Sequence, residues 1–125
     1  MRRAAAALGL AALLALGCGP EPASLLLRVR LPAGLAVEQL RARVTDLSGK
    51  PLFEPLLRPE QPGGSRLSGD QTIRLLLPDE LDGETLRVVI EALAGGKVVG
   101  RGEGAAVAEM GSEAELLVAV VAVEP

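Results

Sequence analysis

The most constraining feature of this chain is an alternation of period two. In Leu25-Leu26-Leu27-Arg28-Val29-Arg30-Leu31 the odd positions are all aliphatic, while Leu26, Arg28 and Arg30 share the other face. Successive side chains of an extended strand point to opposite sides, so this pattern buries one face and wets the other. The same beat returns over residues 72–77, with Ile73, Leu75 and Leu77 inward. It returns again where Leu86, Val88, Ile90 and Ala92 alternate with Arg87, Val89, Glu91 and Leu93.

Turn residues punctuate these runs. Pro32-Ala33-Gly34 ends the first one. Around residue 40 two periods compete: Leu40, Val44 and Leu47 fit a helical face, whereas Leu40, Ala42 and Val44 against Arg41, Arg43 and Thr45 fit a strand. The turn cluster at 46–51, followed by the short extended segment 52–57, favours a strand hairpin. Residues 58–70 read as a surface loop and Pro78 to Gly83 as an acidic turn. Gly95-Gly96 is a hairpin signal. A glycine-broken segment, 100–104, leads into 105–108, and Met110-Gly111-Ser112 turns the chain. In the closing run 113–123, Leu116, Val118, Val120 and Ala122 oppose Leu117, Ala119, Val121 and Val123, apolar on both sides, which predicts a covered position and not an edge. About seven short strands at this spacing predict a single antiparallel β-sandwich over residues 25–125, after an N-terminal signal helix. A chain of 125 residues suits one domain, and no period of roughly 20 to 50 residues suggests a solenoid.

The first segment reads as an address. Arg2 and Arg3 precede an apolar run from Ala4 to Leu16, 13 residues long and broken only by Gly9. A bilayer span needs about twenty apolar residues, so the run suits an export signal. Its end, Leu14-Ala15-Leu16-Gly17-Cys18, resembles the lipobox of bacterial lipoproteins. The resemblance implies a leader over 1–17, cleavage before Cys18 and acylation of the Cys18 thiol. Two or three acyl chains hold firmly where one holds marginally. The competing readings are an ordinary export signal ahead of a free Cys, and a retained N-terminal helix. Residues 18–24, with Pro20 and Pro22, form a short extended tether. Gly19 after the Cys, where Asp marks inner-membrane retention in enteric-type lipoproteins, points to the outer membrane.

Composition excludes much chemistry. The chain has no His, Trp or Tyr, one Cys, and Phe53 as its lone aromatic. The usual general base near neutral pH is therefore absent, as are disulfide and zinc-cluster options. Stacking platforms for bases are absent too. Loss of Arg2 and Arg3 with the leader leaves 11 basic against 16 acidic residues, a net charge of −5. Such a chain has no electrostatic reason to bind nucleic acid.

Several stretches together carry a wider resemblance. They are the lipobox, the Pro/Gly tether, the strand ending in Leu31-Pro32, the Ser48-Gly49-Lys50 turn, and Leu75-Leu76-Leu77-Pro78. Arg87-Val88-Val89-Ile90-Glu91-Ala92 and the run from Gly95 to Gly102 complete the set. The pattern looks like the small immunoglobulin-like or transthyretin-like sandwich domains of lipoproteins in GC-rich Gram-negative bacteria. The paired Cys and core Trp of antibody-type domains are missing.

Four constellations are candidate sites. Asp79, Glu80, Asp82 and Glu84 offer clustered oxygens for Ca2+, with Asp79, Asp82 and Glu84 as the candidate ligands, against a solvated acidic turn. Gly100-Arg101-Gly102-Glu103-Gly104-Ala105 fits a G-x-G-x-x-A pattern, with Glu124 near the distance of an acidic partner. Too little chain follows for a second parallel strand, which favours a bent or bulged edge strand. Arg28, Arg30, Arg41 and Arg43 would line one outer face if the first two long strands lay side by side, as an acidic-partner patch or an ordinary wet face. The serines lack a G-x-S-x-G context. These readings make the chain a non-catalytic structural or protein-interaction module of the cell envelope, held by lipid at Cys18 and without cofactor. The alternative is an accessory domain that binds a ligand or Ca2+ at the 79–84 turn.

Overall fold

The computed structural model describes residues 22–123. The leader 1–17, Cys18 and most of the tether lie outside the described residues. The strands are β1 (Ser24–Arg30), β2 (Gln39–Thr45), β3 (Leu56–Arg58), β4 (Asp70–Leu76), β5 (Thr85–Ala94), β6 (Lys97–Val107), β7 (Glu113–Ala119) and β8 (Val121–Ala122). A single 3-10 turn, Asp79–Leu81, joins β4 to β5. The described chain is all-β, in two sheets: β4-β1-β7, and β3-β2-β5-β6-β8.

Alternation decides what goes inward. Leu25, Leu27 and Val29 of β1, Ile73 and Leu75 of β4, and Val118 of β7 form the inner face of the smaller sheet. They share one core with Leu40, Ala42 and Val44 of β2 and Leu86, Val88, Ile90 and Ala92 of β5. Each fully buried Leu or Val contributes about 1.5–3 kcal/mol relative to an exposed one. Two sheets joined by one core fit the expected sandwich. The ambiguous segment near residue 40 is a strand, with Leu40, Ala42 and Val44 facing the core and Arg41, Arg43 and Thr45 facing outward.

Four expectations are corrected. The sheets are not wholly antiparallel, since β1 and β7 pair in parallel, Ser24 beside Glu113 through Arg30 beside Ala119. The reason is the route of the chain. β6 ends at the pole where β1 begins, the five residues 108–112 cross to the other sheet at that pole, and β7 must then run the same way as β1. The closing run 113–123 is not one covered strand. It breaks at the buried Val120, whose N–H donates to the Arg30 carbonyl at 2.9 Å. β7 is an edge of the smaller sheet and β8 an edge of the larger, with Leu117, Val121 and Val123 exposed. The strand predicted at 52–57 reduces to β3, with Thr45 opposite Pro51 as a lone bridge. Pro51 and Pro55 have no N–H to give a ladder there.

The fourth correction concerns the arginines. β1 and β2 belong to different sheets, so Arg28 and Arg30 lie on one outer face and Arg41 and Arg43 on the opposite one. All four have carboxylate partners: Arg28 with Glu115, Arg30 with Asp70, and both Arg41 and Arg43 with Glu91. No continuous basic face of these four exists.

Candidate functional site

The most constructed polar feature lies on the outer face of the larger sheet. Registry places Arg41 of β2 beside Glu91 of β5, and Glu91 beside Arg101 of β6, in one row across three strands. The next row holds Arg43, Val89 and Glu103, and the third Thr45, Arg87 and Ala105. Outward residues of a strand are two apart, so these rows repeat about every 6.6 Å.

Glu91 is the hub. Its side chain is 9% exposed although it projects from the outer face. Arg41 Nε donates to Glu91 Oε1 at 2.7 Å and Arg43 Nε to the same oxygen at 2.8 Å. Arg101 Nη1 lies 3.8 Å from Oε2. Val89 and Leu93 flank the carboxylate on β5 and are also buried. Burial pushes the Glu91 carboxyl up, but hydrogen bonds from Arg41 and Arg43, joined by their charges, outweigh it and hold the group below the ordinary range. Such a carboxylate is a weak base at neutral pH. What the cluster can do is hold guanidinium groups in fixed positions, which suits recognition of anions.

The acidic turn is elsewhere, at the pole where the chain enters β1. Asp79, Glu80, Asp82 and Glu84 are exposed there. Asp82 Oδ1 accepts the Met110 N–H at 2.8 Å, tying the turn to the 108–112 crossing. Among the described residues, no group of three or more His, Cys, Asp or Glu side chains converges on a metal position. A shallow hollow of about 420 Å³ at this pole is lined by Asp46, Leu47, Ser48, Gly83, Glu84 and Thr85. Asp46 is occupied by its own turn, accepting the Ser48 N–H at 2.9 Å, the Ser48 hydroxyl at 2.6 Å and the Lys50 N–H at 3.0 Å.

The glycine run serves packing. Gly100, Gly102 and Gly104 lie inside β6, and a strand, β7, follows it where a nucleotide fingerprint requires a helix. A side-chain carbon at Gly100 would lie 2.7 Å from Val120 Cγ1 and 2.9 Å from Leu35 Cδ2. The β6 ladder shifts register at Val99, just before the glycine run, and the expected edge position is corrected, since β8 pairs with Gly100 and Arg101.

The hub role of Glu91, and the joining of Arg87 and Arg101 to Arg41 and Arg43, escaped sequence reading. Each of these residues stands at an outward position of an alternating run, which was visible. Their convergence depends on β5 lying between β2 and β6, which no local pattern states. No protein-family model, no curated protein and no solved structure matches this chain.

Proposed function

We propose that this protein is a lipid-anchored, non-catalytic interaction module of the bacterial cell envelope, its two sheets forming an immunoglobulin-like or transthyretin-like sandwich. One observation carries the reading. The single Cys of the chain, Cys18, closes a basic-then-apolar leader and stands just six positions before β1. Six residues reach at most about 21 Å when extended. A thiol acylated at Cys18 therefore keeps the domain close to the leaflet, with the 79–84 and 108–112 loops toward the lipid. Among the described residues, no helix is long and apolar enough to cross a membrane. Gly19 favours the outer membrane.

The outward surfaces of both sheets support an interaction role over catalysis. Arg28, Arg30, Arg41, Arg43, Arg74 and Arg101 engage carboxylates there, and Glu91 is held ionised by its arginines. The test is the intact mass of the membrane-extracted protein. The expected mass corresponds to residues 18–125 plus acyl chains on Cys18. An unmodified Cys18 in a soluble fraction overturns the anchor.

A further inference from the structure

We infer that the outer face of β2, β5 and β6 is a docking surface for an extended, carboxylate-rich segment of a protein partner. This deepens the interaction-module reading and rests on it, independently of the lipid anchor.

Four guanidinium groups, on Arg41, Arg43, Arg87 and Arg101, share this face with two carboxylates, Glu91 and Glu103. The local balance is +2 on a chain whose net charge is −3. The Pro59–Glu60 loop lies over one end of the face, where its carbonyls accept from the Gln39 amide, and among the described residues no third layer of strands stacks on the rows of Arg43 and Arg87. One buried oxygen, Glu91 Oε1, occupies the Nε groups of both Arg41 and Arg43. Among the described residues, neither arginine has a second carboxylate partner, so their terminal nitrogens keep donor capacity. Arg87 has no ion-pair partner among the described residues and is exposed. A pre-positioned guanidinium loses little freedom when it takes a carboxylate in bidentate fashion.

Spacing selects the form of the partner. The arginines step across three successive rows, about 6.6 Å apart, and an extended peptide presents same-side residues at that same interval. An acidic residue at every second position therefore meets Arg41 or Arg101, then Arg43, then Arg87. The pole geometry argues against an anionic lipid surface. The chain enters β1 in the other sheet, and the pole beside that entry carries Asp79, Glu80, Asp82, Glu84 and Glu113. Those charges repel an anionic leaflet before the arginine face can meet it.

The test uses the full chain in detergent micelles and a fluorescent peptide of about twelve residues with Glu at alternate positions, read by anisotropy at low salt. Arg87→Gln with Arg101→Gln removes two positive charges without setting a carboxylate opposite Glu91, so Arg41 and Arg43 keep their partner. It is expected to weaken peptide binding about tenfold or more. Arg28→Gln with Arg30→Gln makes the same change in net charge on the outer face of the other sheet and is expected to weaken binding less than about threefold. Thermal melts confirm that both variants fold. Equal losses in the two variants overturn the proposal in favour of bulk charge. So does the absence of peptide binding together with Arg87- and Arg101-dependent binding of phosphatidylglycerol vesicles, which assigns the face to lipid. Neither result bears on Cys18 acylation, which the mass measurement reads separately.

Discussion

Gly102 of β6 sits directly beneath the Ala119 carbonyl of β7, across the gap between the two sheets. A side-chain carbon on Gly102 would collide with that oxygen and lie 2.9 Å from Val118 Cγ1. The contact marks the corner where the chain leaves the smaller sheet, turns at Val120 and joins the larger one as β8. Glycine at the inward positions 100, 102 and 104 of β6 opens the space this crossing needs. It also brings β6 against β7, the edge strand of the other sheet.

Gly102→Ala is therefore expected to cost about 1–3 kcal/mol, because the obstructing atom is backbone and cannot rotate away. Gly104→Ala should cost less. The new carbon there meets the Leu116 side chain at 3.0 Å, and a leucine can change rotamer. Urea denaturation of the two variants orders them. An unchanged midpoint for Gly102→Ala contradicts the close packing.

The alternating runs revealed the inward residues of β1, β4 and β5, because period two is a local property that burial of one face enforces. Leu25, Leu27 and Val29 needed no knowledge of their partners. The sheet assignments were not legible. Arg28 and Arg41 occur in similar short basic runs, yet they lie on opposite faces of the molecule, since pairing of β1 with β4 and β7 is settled by long-range packing. The last run failed for a related reason. Val120 belongs to the same apolar alternation as Val118, and nothing in the residue types says that the chain changes sheets there. Glu91 shows what this hides: an acid among aliphatics reads as a wet position until β2 and β6 supply the arginines that cover it.

Leu75 and Leu76 are neighbours in β4 with opposite fates, 6% and 71% exposed. Leu75→Ala is expected to cost about 2–4 kcal/mol through lost burial and a residual cavity. Leu76→Ala should stay within about 0.5 kcal/mol. Thermal or chemical unfolding of the pair checks the register of β4 against β1, since a slip of one residue would exchange the two results.

The Arg28–Glu115 pair across β1 and β7 spans 3.3 Å, with both side chains at least half exposed. Solvent and salt screen such a pair, so its coupling should fall between about 0 and 1 kcal/mol. A double-mutant cycle with Arg28→Ala and Glu115→Ala measures it. A coupling well above that range would show that the outer face of the smaller sheet is less wet than its exposure indicates.

Glu91 gives the sharpest expectation with pH. Its folded pKa lies below the ordinary carboxylate value of 4.5, because Arg41 and Arg43 together outweigh burial. A depressed folded pKa means that the ionised group favours the native state. That contribution is complete above about pH 4.5 and is lost as pH falls through the folded value. Glu91→Gln keeps the shape and removes the charge. At pH 7 it should cost about 1–2 kcal/mol, discounted for the partial exposure of the arginines. The gap between wild type and variant should then narrow as pH drops below 4.5, since the wild-type carboxyl is itself being protonated. Glu113, held low by hydrogen bonds from Arg74 and Ser24, and Asp46, held low chiefly by the Ser48 hydroxyl and the Lys50 N–H, remain in the variant. Its acid sensitivity is therefore reduced but not abolished. Urea unfolding at a series of pH values from neutral down to about 3 reads the gap directly. A gap that stays constant across the series would mean that the Glu91 charge contributes nothing to the stability of the sheet.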